Sequence, residues 1–317
     1  DAAFRRVSVA AKISKRWGSS IGIQPFSTVN YNYTANKPVT GDPQSVLIGN
    51  YDGTGGVNQF YWANGFQLTK SISIGITPSF LFGSVKETET LYNDLVPSGL
   101  ITTKSNYLRN AYLNFSLQAK VRLNKNWESG YGITFSPKTS LNSLATVNVV
   151  TGGGTVIKQY TTNSNSSGVP ATLNIGIALV KNKKYTLTVN AQGQDWSNVK
   201  FSNSVYQSVD KTGKLSVGFQ NSKKAKNYYN QEYEKSFIQL GLYGGYTNIK
   251  AYGENVTDIG ATVGYGRNAK RSPLGYILGL QVGRRGGKSS TLLSENYINL
   301  NITFSYVDLW FKGKKYY

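Results

Sequence analysis

Apolar and polar residues alternate at period two along this chain, over stretches longer than the usual strand of a globular domain. From 111 to 121, Ala111, Leu113, Phe115, Leu117, Ala119 and Val121 fall on one face, and Tyr112, Asn114, Ser116, Gln118 and Lys120 on the other. Near the C-terminus Ile298, Leu300, Ile302 and Phe304 stand against Asn299, Asn301, Thr303 and Ser305. Ile72, Ile74, Ile76, Phe80 and Phe82 oppose Ser71, Ser73, Thr77 and Ser79, and Leu173, Ile175, Ile177 and Leu179 oppose Thr172, Asn174 and Ala178. A soluble β-sandwich alternates in the same way. Run length decides between the two, because a tilted strand needs about 9 to 11 residues to cross a bilayer.

Alternation and turn residues together predict strands over 4–16, 18–33, 55–69, 71–93, 105–124, 126–150, 168–182, 183–197, 212–223, 235–249, 254–268, 272–287 and 295–308. Single-chain bacterial barrels have an even strand number, so this odd count predicts about fourteen strands, one of them before Asp1. The expected fold is therefore all-β, a transmembrane antiparallel β-barrel formed by residues 1–317 as a single domain. No run approaches the roughly 18 apolar residues of a spanning helix, and a closed barrel is the remaining way to satisfy the backbone in lipid. If 295–308 runs toward the periplasm, the connections there are short and those on the outer side are mostly longer: 34–54, 94–104, 151–167, 198–211, 250–253 and 288–294. A barrel predicts that asymmetry, and loop length was not used to place the strands.

Composition sharpens this picture. Tyr 23, Phe 13, Trp 5 and Gly 34 fit strands and turns, and the absence of Cys and His removes the usual serine-protease base and the usual zinc ligands. With no carboxylate or lysine motif visible either, the chain does not read as an enzyme, and no cofactor or metal is expected. The net charge of +20 raises the question of nucleic acid. No helical or RNA-recognition motif accompanies it, and the lysines sort instead to one end of the predicted barrel. Lys181, Lys183, Lys184, Lys223, Lys224, Lys226, Lys270, Arg271, Lys312, Lys314 and Lys315 fall on the periplasmic rim. There they can meet lipid phosphates or an acidic periplasmic partner, or serve simply as solvated turn residues. Trp62, Trp127, Trp196, Trp310 and Phe311 sit toward strand ends, where aromatic girdles mark membrane interfaces.

Several segments carry a resemblance. Ser20 to Ser27 (SIGIQPFS), Gly53 to Gln59 (GTGGVNQ), Tyr61 to Gly65, Ser73 to Gly75, Leu81 to Gly83, Gln194 to Ser197, Arg284 to Gly286 and Val307 to Lys312 run in order along nearly the whole chain. Together they resemble the FadL-like outer-membrane transport proteins of the Bacteroidota, a group that includes PorV-related barrels. The resemblance implies fourteen strands, location in the bacterial outer membrane and passive uptake of hydrophobic small molecules through a lumen and a lateral opening. It also implies an N-terminal hatch with an Asn-Pro-Ala motif, expected together with the first strand upstream of Asp1. Some barrels of this type act instead as accessory subunits of the type nine secretion machinery, so a non-transporting subunit of a secretion or barrel-assembly complex stays open beside transport. The expected partners are outer-membrane lipids, with a hydrophobic ligand and other outer-membrane or periplasmic proteins as further candidates.

The candidate lumen residues are the large polar side chains Arg109, Asn110, Tyr112, Asn114, Gln118 and Gln281, which either guide a solute or hold the barrel together by hydrogen bonding. Gly75 and Pro78 lie within an otherwise regular strand and mark the expected wall break, since a proline withdraws a ladder hydrogen bond. Gly55, Gly56, Gly176, Gly244 and Gly245 are further candidates for kinks or bulges.

Overall fold

The computed structural model describes residues 5–39, 42–93, 96–197, 206–208, 211–226, 232–251, 254–268, 274–287 and 294–306. Among these there is no helix, and the strands are all antiparallel. They are β1 (Val7–Lys12), β2 (Trp17–Val39), β3 (Asp42–Gln67), β4 (Ile72–Asn93), β5 (Val96–Arg122), β6 (Trp127–Ser136), β7 (Thr139–Thr151) and β8 (Val156–Val169). Then follow β9 (Ala171–Lys181), β10 (Tyr185–Asp195), β11 (Tyr206–Ser208), β12 (Lys211–Lys226), β13 (Glu232–Ala251), β14 (Glu254–Asn268), β15 (Leu274–Gly286) and β16 (Glu295–Tyr306). Pro137 separates β6 from β7 and Pro170 separates β8 from β9. Hydrogen-bonded neighbours follow chain order along a path of thirteen strands, the number that alternation predicts.

The chain forms two compact units. The first holds residues 1–68, 74–115 and 136–171 and is built from β1 to β4, the first part of β5, β7 and β8. Here the strands run far beyond the length a bilayer requires, β2 for 23 residues and β3 for 26. The outer loops expected at 34–54, 94–104 and 151–167 are thus largely strand. Thr34 pairs with Asn50 and Asn32 with Asp52, each pair hydrogen-bonded through side chains, so the polar residues that suggested a loop are ladder partners. Likewise β7 and β8 pair from Thr139↔Val169 outward to Val150↔Val156. Lys37 reaches Glu89 at 2.6 Å on this long sheet.

A β-bulge between Pro25 and Ser27 exchanges the faces of β2. Before it Gln24 lies opposite Gln59; beyond it Tyr31 lies opposite Gly53 and Tyr33 opposite Tyr51, the last two stacked at 5.0 Å. On the face that carries Gln59 and Ser79, a cluster of Val57, Leu81, Leu108, Leu141 and Val169 is buried, with Val85 and Tyr112 packed on it. An apolar core thus occupies the face that alternation alone assigns to polar side chains.

The second unit holds residues 69–73, 116–135 and 172–317: the last part of β5, then β6, β9, β10 and β12 to β16, with β11 on the far end of β13. Its registers align apolar side chains into rows across the strands. One runs Leu187, Phe219, Leu240, Val263, Leu280, Leu300; the next Val189, Val217, Leu242, Ala261, Val282, Ile298. These side chains lie open, Leu240 at 53% and Leu300 at 70% exposure, as a surface covered by lipid would be. On β15 and β16 the band spans Leu274–Val282 and Ile298–Tyr306, then gives way to Arg284 and Asn296. That height matches the roughly 9 to 11 residues of a spanning strand.

Short turns close one end. Asn182 and Lys183, both with φ near 50°, make a two-residue turn of the mirror-image type that suits strand twist. Asn124 Oδ1 accepts from the amides of Asn126 and Trp127, and Thr69 Oγ1 does the same for Ser71 and Ile72. Neighbouring turns are laced together, Asn182 N–H to Asn126 O and Ser222 N–H to Lys184 O.

Candidate functional site: the polar face of the second unit

Opposite the apolar rows, the same registers build polar ones. Asn190, Ser216, Tyr243, Gly260, Gly283 and Tyr297 form one row, and Gln192, Lys214, Gly245, Asp258, Arg285 and Glu295 the next. Glycines stand where the large side chains need room. The Tyr243 hydroxyl lies over Gly260 and the Tyr297 ring over Gly283, which brings the two hydroxyls to 2.5 Å. Tyr297 donates to Asp258 Oδ1 at 2.6 Å, leaving Tyr243 to donate to Tyr297 and to accept from Gln281 Nε2 at 2.6 Å. Arg285 meets Asp258 at 3.4 Å and Glu295 at 3.6 Å, and lies against the Tyr297 ring. Lys214 Nζ lies 4.4 Å from the centre of the Tyr243 ring. A second network nearer the basic turns joins Gln239, Gln220, Ser222 and Glu234, with Ser222 Oγ 2.5 Å from Glu234.

A Cβ at Gly260 would collide with the Tyr243 hydroxyl and the Val282 carbonyl. Gly260→Ala and Tyr243→Phe are each expected to lower unfolding stability by about 1–3 kcal/mol. Both remove the same hydroxyl from its place, so the double variant should lose less than the two losses added, a coupling that denaturant melts of the four proteins would measure.

Of the expected lumen residues, Gln281 belongs to this relay. Asn110 bonds the Ser140 carbonyl and Asn114 the Ser136 hydroxyl at 2.7 Å, while Tyr112 meets Phe26 edge-on at 5.4 Å. Gln118 shares their face of β5 by alternation. Arg109 requires a correction: β5 is unbroken, so Arg109 points away from its neighbour Asn110, onto the face of Tyr107 and Phe115. β4 continues through Gly75 and Pro78, and a bulge lies in β2.

Trp62 lies on the apolar face, its indole donating to Ser19 at 2.8 Å, and Trp127 lies under the Lys181 ammonium at 5.2 Å. Trp196 lies just past the end of β10, and its indole turns to Gln194 on the polar face. Trp17, stacked on Phe66 at 5.7 Å, is an apolar-face aromatic that the sequence reading missed. Lys181, Lys183 and Lys184 flank or form the two-residue turn, and Lys184 lies over Tyr185. Lys223, Lys224 and Lys226 end β12, with Lys224 at 4.0 Å from Glu232. Lys270, Arg271, Trp310, Phe311, Lys312, Lys314 and Lys315 lie outside the described residues. Among the described residues no group of carboxylates could hold a metal ion.

The side chains directed into a groove of about 460 Å³ on this face are mostly hydroxyls and amides: Thr186, Thr188, Asn190, Ser216, Gln220 and Gln239, with Lys214, Tyr243 and Gln281. The nearby Val217, Phe219, Leu240 and Leu242 point to the other face by alternation.

Comparison with known proteins places this arrangement. The BamG family model matches residues 1–317. Among solved structures, the toluene transporter TodX of Pseudomonas putida is similar with a TM-score of 0.60 at 16% identity, covering 95% of this chain and 81% of that one. The CymD monoaromatic hydrocarbon channel is similar with a TM-score of 0.58 at 12% identity, covering 94% and 81%. No curated protein sequence matches. At these identities the likeness shows the fold alone, an antiparallel transmembrane β-barrel.

Proposed function

The chain belongs to the BamG family, and we propose that it serves as an accessory barrel of an outer-membrane protein complex, with its apolar rows against lipid and its lumen held shut by its own side chains. The observation that carries this reading is the polar face of the second unit, where hydroxyls and amides bond one another and line the grooves. Passage of a hydrophobic solute calls for open apolar lining. In the first unit the apolar side chains of the corresponding face are packed together and buried, Leu81 completely. Secretion and barrel assembly are the two settings for such a subunit. The basic turns at Lys181 to Lys184 and Lys223 to Lys226 offer a charged rim to lipid phosphates or to an acidic partner.

A second reading, passive uptake of hydrophobic molecules with exit through the wall, is favoured by the fold shared with the two hydrocarbon channels and by the bulge at Phe26. Gly75 and Pro78 lie in the same group of strands and remain the proposed position of an opening. Mild-detergent purification from native membranes, with mass spectrometry of lipids and co-eluting proteins, separates the two. Stoichiometric protein partners without an apolar ligand are expected; a solitary barrel carrying an apolar small molecule would replace the first reading by the second.

A further inference from the structure

Lys214 stands where three adjoining grooves of the second unit meet, with volumes of about 460, 330 and 240 Å³. Its charge differs from that of the other cation on this row. Arg285 is balanced by Asp258 and Glu295, whereas Lys214 has no ion pair among the described residues. The Tyr243 ring lies beside its ammonium, and the relay through Tyr297 to Asp258 fixes that ring in place. Asn190, Gln192, Gln194, Thr212 and Ser216 surround the lysine and supply amide and hydroxyl groups of both polarities, and the carboxylate of Asp258, which also lines the smallest of the three grooves, is engaged by Arg285 and Tyr297. The Trp196 indole is tied to Gln194 at the rim of the same site. This row lies level with Arg284 and Asn296, where the apolar band of the opposite face ends, so the site sits at the end of the wall away from the basic turns.

A cation without an ion pair among the described residues, a bank of amides and hydroxyls and aromatic rings is the chemistry that holds a sugar carrying a negative charge. The ammonium takes the anionic group, the amides donate to and accept from ring hydroxyls, and an aromatic face packs against sugar C–H bonds. We infer that the Lys214 groove binds an anionic saccharide, either a free sugar phosphate or the phosphorylated saccharide headgroup of a glycolipid. The inference requires neither the accessory nor the conduit reading.

Calorimetric titration of the detergent-purified chain with glucose 1-phosphate, glucose and lipopolysaccharide tests it. The anionic sugar is expected to bind at least about tenfold more tightly than glucose and to weaken as salt rises. Lys214→Met should abolish that preference, Lys214→Arg should retain it, and Lys104→Met, an exposed lysine of the first unit, should not alter it. If lipopolysaccharide alone binds, in a Lys214-dependent way, the source is a headgroup; if glucose 1-phosphate binds as well, the site reads the sugar anion itself. Absence of binding by both, equal binding of glucose, or binding unchanged in Lys214→Met would overturn the assignment. Because Lys214 is exposed, the Met variant is expected to fold, and an unchanged heat-induced gel shift would establish that.

Discussion

Leu240→Arg is expected to destabilise the protein in lipid by about 2–4 kcal/mol, while Gln239→Arg, one residue earlier on the same strand, should cost no more than about 1 kcal/mol. The two positions differ only in face. Leu240 lies in the row with Phe219, Val263, Leu280 and Leu300, near the middle of the apolar band, where a guanidinium has neither water nor a partner. Gln239 lies on the polar face, and its loss removes one amide bond to Gln220 from a wall rich in alternative acceptors. Unfolding titrations in liposomes of the two variants and the parent check this. Equal losses would mean that the exposed leucines face something other than lipid.

The contrast bears on how much of the structure could be read from sequence. Alternation located most strands to within a few residues because a lipid-covered wall cannot relax its period: 254–268 appears as Glu254–Asn268, and 295–308 as Glu295–Tyr306 over the described residues. Beyond the apolar band nothing enforces that contrast. There, segments rich in Thr, Asn and Tyr read as loops, although 34–54 and 151–167 largely continue as paired strands. The bulge at Phe26 was equally hidden, since one extra residue exchanges the faces of everything that follows and moves Tyr31 and Tyr33 to the other side. Arg109 lies apart from Asn110 and Tyr112 for a simpler reason: along an unbroken strand alternation, not polarity, sets the face.

The polar relay was less legible still. Tyr243 and Tyr297 are 54 residues apart, and their meeting depends on three hairpin registers at once. One signal did exist: glycines recur on the polar face of β14 and β15 at 260, 264, 266, 275, 279 and 283, leaving floor space for side chains from neighbouring strands, aromatic ones at 260, 266 and 283. A tyrosine opposite such a glycine is a better predictor of a lumen contact than polarity alone. The Tyr31 and Gly53 pair in the first unit and the Phe237 and Gly266 pair in the second follow the same rule.

Glycine at position 83 serves a different end, and its replacement is expected to be among the most damaging single changes in the first unit. Gly83→Val should cost about 3 kcal/mol or more and sharply reduce the folded fraction, whereas Gly18→Val in β2 should be close to neutral. A Cβ at Gly83 would enter the Gly56 carbonyl and lie 2.8 Å from the Val57 Cα, while one at Gly18 meets nothing within 4 Å. Backbone, not a movable side chain, fills the space, so rotamer adjustment cannot relieve the clash. Gly55, at φ +107° and with the Ser84 carbonyl against its Cα, holds the same crossing from the β3 side. These close approaches of β3 and β4 lie next to Val57 and Leu81, which enter the buried cluster with Leu108, Leu141 and Val169. The heat-induced gel shift of membrane-inserted protein measures the folded fraction directly. Equal shifts for the Gly83 and Gly18 variants would mean that the two backbones do not approach so closely, and that the buried cluster is held by side-chain packing alone.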